Sequence, residues 1–177
     1  MHKVRRWVFA NYWWIVIATL VTSVYLILRI PPTYRASLFV SCVGTALAFC
    51  FFVLQQKLSE DRMFKDLFTE YNSRYDELNG ILTDISQSES TPTPEMEKAI
   101  QDYFNLCAEE YYFYKQGYIP EKVWKCWHNG MKIYFKVEIV KSLWNEEAKQ
   151  NKTDSDSYYG FSEIANKMIG IEECQST

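Results

Sequence analysis

Two uncharged apolar runs, residues 7–28 (WVFANYWWIVIATLVTSVYLIL) and 36–56 (ASLFVSCVGTALAFCFFVLQQ), limit what the start of this chain can become. They contain 22 and 21 residues, and at about 1.5 Å per helical residue each reaches about 30 Å, the depth of a bilayer's hydrocarbon core. A helix buried in a soluble core rarely goes so long without a charge, and a cleaved signal peptide has a shorter apolar stretch and a small-residue cleavage site. Here the first run is followed instead by Arg29, Pro31 and Pro32. The two prolines stop the first helix and predict an extended turn over 29–35, from which the second run returns as an antiparallel transmembrane hairpin.

Charge divides sharply at Gln56. All 22 acidic residues lie beyond it with 14 of the 19 Lys and Arg, so residues 57–177 carry a net −8 and residues 1–56 a net +5. An acidic domain repels phosphates, so general nucleic-acid binding is not expected. Lys3, Arg5 and Arg6 precede the first run and Lys57, Arg62 and Lys65 follow the second, against only Arg29 and Arg35 between them. The positive-inside rule therefore predicts a multi-pass membrane protein with both termini cytoplasmic. Trp7, Tyr12, Trp13 and Trp14 would lie toward the inner interface, and Tyr25 and Tyr34 toward the outer one.

The second run carries small residues at Ser37, Ser41, Gly44, Thr45 and Ala48, spaced to share one helix face. In lipid such a face is a candidate for close helix packing. The first span, through Ala18, Thr19, Thr22 and Ser23, is its first expected partner, because two spans in one chain must meet; a second copy of the chain is the alternative. No Asp, Glu, Lys, Arg or His interrupts either run, so neither is expected to hold a proton relay or ion ligand. Cys42, Cys50, Cys107, Cys126 and Cys174 are odd in number and form no CxxC pair, which predicts reduced thiols.

Beyond Gln56 the apolar residues recur in threes and fours, predicting an all-α cytoplasmic domain over 57–177. Phe64, Leu67, Phe68, Tyr71, Tyr75, Leu78, Leu82 and Ile85 mark a helix that could continue from the second span, with Gly80 as a point of bending. Residues 86–94 form a polar connector, and Thr93 as N-cap with Pro94 at the first helical position starts the next helix. That helix buries Met96, Ile100, Tyr103, Cys107, Tyr111 and Tyr114 and closes near Gly117. Its end places Glu109 and Glu110 before four aromatics, which cannot all face one core. Packing on several neighbours is the first expectation; a candidate partner surface of Glu109, Glu110, Tyr112 and Phe113, with the two carboxylates as a solvated edge, is the second.

Pro120 opens a helix carrying Val123, Trp124 and Trp127, with Asn129 and Gly130 as its expected stop. A further helix is expected over 131–148, although 132–137 would also suit a strand. A loop over 149–157 and a short helix from Phe161 to a Gly170 cap complete the pattern. The chain shows no phosphate loop, nucleophile elbow or metal-binding helix, and Cys126 with His128 supplies too few ligands for zinc. Neither a catalytic role nor a cofactor or metal is expected.

The stretches FKDLFTEYNSRYDELNGIL (64–82), FNLCAEEYYFYKQGYIPEKVWKCWHNGM (104–131) and YYGF (158–161) resemble segments of bacterial helical proteins, often with a two-span anchor, that occur in antiphage defence loci. Among these are the two-transmembrane effectors of retron systems. The resemblance implies an abortive-infection component that permeabilises the bacterial inner membrane when infection is sensed, working with a reverse transcriptase and its RNA–DNA product. No functional residue carries over from it. The other reading is a membrane-tethered helical adaptor that binds a protein partner without disrupting the bilayer.

Overall fold

A computed structural model describes residues 2–88, 91–150 and 158–170. Among them are six helices and no strand: α1 (His2–Leu28), α2 (Pro32–Gln87), α3 (Pro94–Lys115), α4 (Glu121–Tyr134), α5 (Glu138–Gln150) and α6 (Ser162–Met168). The chain divides into two compact units between Met63 and Phe64, inside α2. This is later than the boundary at Gln56 that composition suggests, because α2 has no proline between Pro32 and Gln87 to stop it. Gly80 lies within the continuous helix. The side chains of Lys3, Arg5 and Arg6, the stretch 151–157 and Cys174 lie outside the described residues.

In the first unit, α1 and α2 are each long and apolar enough to cross a membrane. The connection is shorter than the predicted turn, since Pro32 already begins α2 and Thr33, Tyr34 and Arg35 are helical. A proline is favoured at that first position, where its missing N–H has no helical acceptor anyway. Arg35 closes the end of α1, its guanidinium donating to the carbonyls of Ile30 (2.9 Å) and Leu28 (3.0 Å). Lys57 sits 4.7 Å from the centre of the Tyr12 ring, so the two helices run back alongside each other. Their inner residues include Tyr12, Val16, Ile27 and Val53, all buried. The outer faces show Trp13, Trp14, Val21, Val40, Leu47 and Phe51, all exposed.

The small-residue face is not where these helices meet. Ser37, Ser41, Gly44, Thr45 and Ala48 are all exposed, and a Cβ built on Gly44 would have no neighbour within 4 Å. Ala18, Thr19 and Thr22, the expected partners on the first span, are exposed as well. The reason lies in the apolar steps: Val43, Ala46, Phe49, Cys50 and Val53 recur in threes and fours and occupy the inner side of α2, which turns the row from Ser37 to Ala48 outward.

In the second unit, α3 starts where the sequence places it. The Thr93 hydroxyl accepts from the Met96 amide (3.3 Å), Pro94 takes the first helical position, and Glu95 and Glu97 lie near the positive helix end. Gly117, at φ +78°, provides the left-handed residue just past its end. The core is aromatic. Phe104, Phe135, Trp144 and Phe161 come from four different segments and are almost wholly buried, with ring centres 4.9 Å apart for Phe104 and Trp144 and 5.5 Å for Phe104 and Phe135. The Trp144 indole N–H donates to Asn166 Oδ1 (3.0 Å), so its one polar atom is satisfied.

The expected stop at Asn129 and Gly130 does not occur: α4 runs through both to Tyr134. Met131 and Phe135 follow Trp124 and Trp127 at helical spacing and are buried, which offsets the roughly 1 kcal/mol that an interior glycine costs. The segment that could have been a strand is the end of α4 and a turn, closed by the Val137 amide donating to the Tyr134 carbonyl (2.9 Å). Likewise Lys149 and Gln150, expected in a loop, end α5.

Candidate functional site

Helices α2, α3 and α4 frame a cavity of about 220 Å³ that is partly open to solvent, lined by Asn72, Tyr75, Tyr103, Glu110, Cys126, Trp127, Gly130 and Met131. Each helix contributes residues at helical spacing: Asn72 and Tyr75 from α2, Tyr103 and Glu110 two turns apart on α3, and two adjacent pairs from α4. Gly130 helps to make the space, since a Cβ there would meet nothing within 4 Å.

Glu110 is the one buried charged residue among those described, at 7% exposure. This corrects its assignment to a solvated edge or partner surface: it lies seven residues after Tyr103 and three after Cys107, on the helix face that also carries them into the core. Its carboxyl is pushed up to about 8, chiefly by burial, with Glu109 adding to the rise and Arg74 opposing it. Among the described residues it has no hydrogen bond or ion pair. Glu109 next to it does: Arg74 donates to it through both terminal nitrogens, at 2.5 and 3.3 Å, and this half-exposed pair holds the nearest guanidinium.

The walls are aromatic and rich in acceptors. Trp127 stacks on Phe68 (5.8 Å) and meets Tyr71 edge-on (6.0 Å). Tyr75 donates to the Tyr134 hydroxyl (3.3 Å), which donates onward to Asn79 Oδ1 (3.3 Å). Burial raises the Tyr75 and Tyr103 phenols, which stay neutral across the physiological range. Tyr103 is also hydrogen-bonded to Cys107, whose thiol burial pushes upward. Asn72 uses its amide N–H on the Phe68 carbonyl (2.8 Å), which leaves Oδ1 as its acceptor. No lysine, arginine or histidine lines the space. His128 stacks on Trp124 at 5.6 Å, and burial lowers its pKa. Among the described residues no three His, Cys, Asp or Glu come together as a metal set.

Of the other sequence-selected residues, Tyr112 is exposed at 39% and packs on Phe113 (5.3 Å) and Tyr159 (5.3 Å). Phe113 is half-buried against Tyr71 and Tyr118. Tyr111 is buried and Tyr114 stacks on Trp124 at 5.0 Å, so the aromatic run packs on several neighbours and shows one ring to solvent. The residues of this run do not line the cavity; of its lining, the sequence places Tyr75, Tyr103 and Trp127 on apolar helix faces, gives Cys126 too few partners for a metal, and makes Glu110 alone a candidate site residue, expected in solvent. Matches to the chain were found among neither family models, curated proteins nor solved structures.

Proposed function

We propose that this chain is the membrane effector of a retron-type antiphage system: a two-span hairpin in the bacterial inner membrane, followed by a cytoplasmic helical domain, that permeabilises the bilayer when infection is sensed. Both termini face the cytoplasm, and the chain works through assembly and not through catalysis. The observation that carries this reading is the outward-facing small-residue row Ser37, Ser41, Gly44, Thr45 and Ala48, left uncovered by α1 on a stretch of α2, residues 36–54, whose other exposed residues are apolar. In lipid, where apolar side chains gain little by leaving the solvent, such a row favours close approach of another helix, here from a second copy. One copy has too few helices and no polar lining to enclose water, so permeability must come from several. The partnership with a reverse transcriptase and its RNA–DNA product rests on the sequence resemblance.

The test is uptake of a membrane-impermeant dye after infection, in cells carrying the complete locus with or without this chain. Dye uptake that depends on the chain supports the effector; infected cells that arrest without admitting dye contradict it. A tethered adaptor is the second reading, favoured by the exposed pair Tyr112 and Tyr159 as a place for a protein to dock.

A further inference from the structure

We propose that the cavity between α2, α3 and α4 binds a small organic cation, an alkylammonium or guanidinium group, with Glu110 as its counter-ion and Tyr75, Tyr103 and Trp127 as its aromatic walls. This does not depend on the membrane reading. A buried carboxyl ordinarily has partners that offset its lost hydration. Glu110 has none among the described residues, and it faces a space it does not fill.

The chemistry of the lining selects the ligand. Asn72 Oδ1, the tyrosine oxygens and the Glu110 carboxylate all accept, while no cationic side chain lines the space to hold an anion. The nearest cation, Arg74, is taken by Glu109, and one N–H of the Asn72 amide by a backbone carbonyl, so the donors that remain at the space are uncharged. A metal ion is poorly served, because hard cations need about six oxygen ligands and the cavity offers one carboxylate and one amide. An organic cation needs only one counter-ion when ring faces supply the rest, in the manner of aromatic cages. Size agrees, since a dry cavity of about 150 Å³ holds benzene and this one measures about 220 Å³.

Binding of a cation draws the proton from Glu110, so each fall of one pH unit below about 8 should weaken affinity about ten-fold. The charged and titratable groups around Glu110 are Arg74, Tyr71 and Tyr75 from α2, Glu109, Cys107 and Tyr103 from α3, and the Cys126 thiol from α4. Arg74 pulls the carboxyl down and Glu109 pushes it up, while Tyr71, Tyr75, Tyr103 and Cys107 are all raised and stay uncharged in this window.

The experiment is a calorimetric titration of the full chain in detergent micelles with choline, butylammonium and butylguanidinium, and with 3,3-dimethylbutan-1-ol, the neutral isostere of choline. At least one cation should bind, release a proton on binding, and lose about ten-fold or more in affinity in Glu110→Gln; if that cation is choline, the isostere should bind about ten-fold more weakly. Comparing butylguanidinium with N-acetylarginine amide distinguishes a free metabolite from an arginine presented by a protein. No saturable binding of any cation up to about 10 mM, an isostere that binds as tightly as choline where choline is the cation bound, or unchanged affinity in Glu110→Gln overturns the proposal. Should that variant not fold, proton release by the wild type decides: a bound cation that releases none overturns it.

Discussion

Arg74 and Glu109 are joined by two hydrogen bonds across 35 residues of sequence, and the pairing leaves the adjacent Glu110 buried without a cation of its own. One helical residue apart, the two carboxylates point about 100° from each other, so one meets solvent and a guanidinium while the other meets the core. The cost of burying Glu110 is therefore met by protonation.

The first prediction follows from that proton. The folded chain holds it up to about pH 8, whereas an unperturbed glutamate releases it near 4.5. Between these values the folded state binds more protons than the unfolded state, so Glu110's contribution is full below about 4.5 and is lost as pH rises toward 8. At roughly 1.4 kcal/mol per pH unit of difference, the loss is on the order of a few kcal/mol. Urea midpoints at pH 5, 7 and 9 should fall with pH for the wild type and fall less for Glu110→Gln. Parallel profiles would show that Glu110 is solvated.

Replacing Gly80 with Ala should stabilise the helical domain by about 1 kcal/mol, the usual gain for an exposed helix interior. Gly80 is exposed inside α2, and a Cβ there meets nothing within 4 Å. A rise in the urea midpoint checks it; a fall would mean that the backbone at Gly80 is not helical.

At the centre of the aromatic core, Trp144→Ala should cost roughly 3–5 kcal/mol, because the ring is 1% exposed and touches Phe104, Phe135, Tyr158 and Phe161. Near-ultraviolet circular dichroism should collapse toward that of a loosened domain. Retention of the full signal would place the core elsewhere.

How legible this was differed by element. Thr93 and Pro94 were readable because a cap and a first-turn proline act within one turn, and the break before α3 followed. The length of α2 was readable from the absence of proline after Pro32. The stop of α4 was not, because Asn129 and Gly130 are local signals, while the burial of Met131 and Phe135 that carries the helix onward depends on tertiary neighbours. Glu110 was hidden by its residue type: the periodicity of Met96, Tyr103 and Cys107 already put it on the inner face, yet a carboxylate reads as surface unless that periodicity is given priority. The direction of the small-residue face was also beyond local reading, since it depends on which row of α2 takes α1.

Topology is tested by placing Thr33→Cys in a background with the five native cysteines replaced. Thr33 is exposed at the start of α2, and a membrane-impermeant maleimide should label it in intact cells. Labelling of Thr177→Cys instead would reverse the orientation.

The most direct measurement of the account is infection-induced dye uptake for wild type and Gly44→Leu at matched membrane levels, with the complete locus present. Leucine keeps the span hydrophobic, and a Cβ at Gly44 has no neighbour within 4 Å, so insertion should persist while close approach of a second copy fails. Uptake is expected in wild-type cells and its loss in the variant. Equal uptake in both would contradict assembly through this face, and its absence in the wild type would contradict a membrane effector altogether.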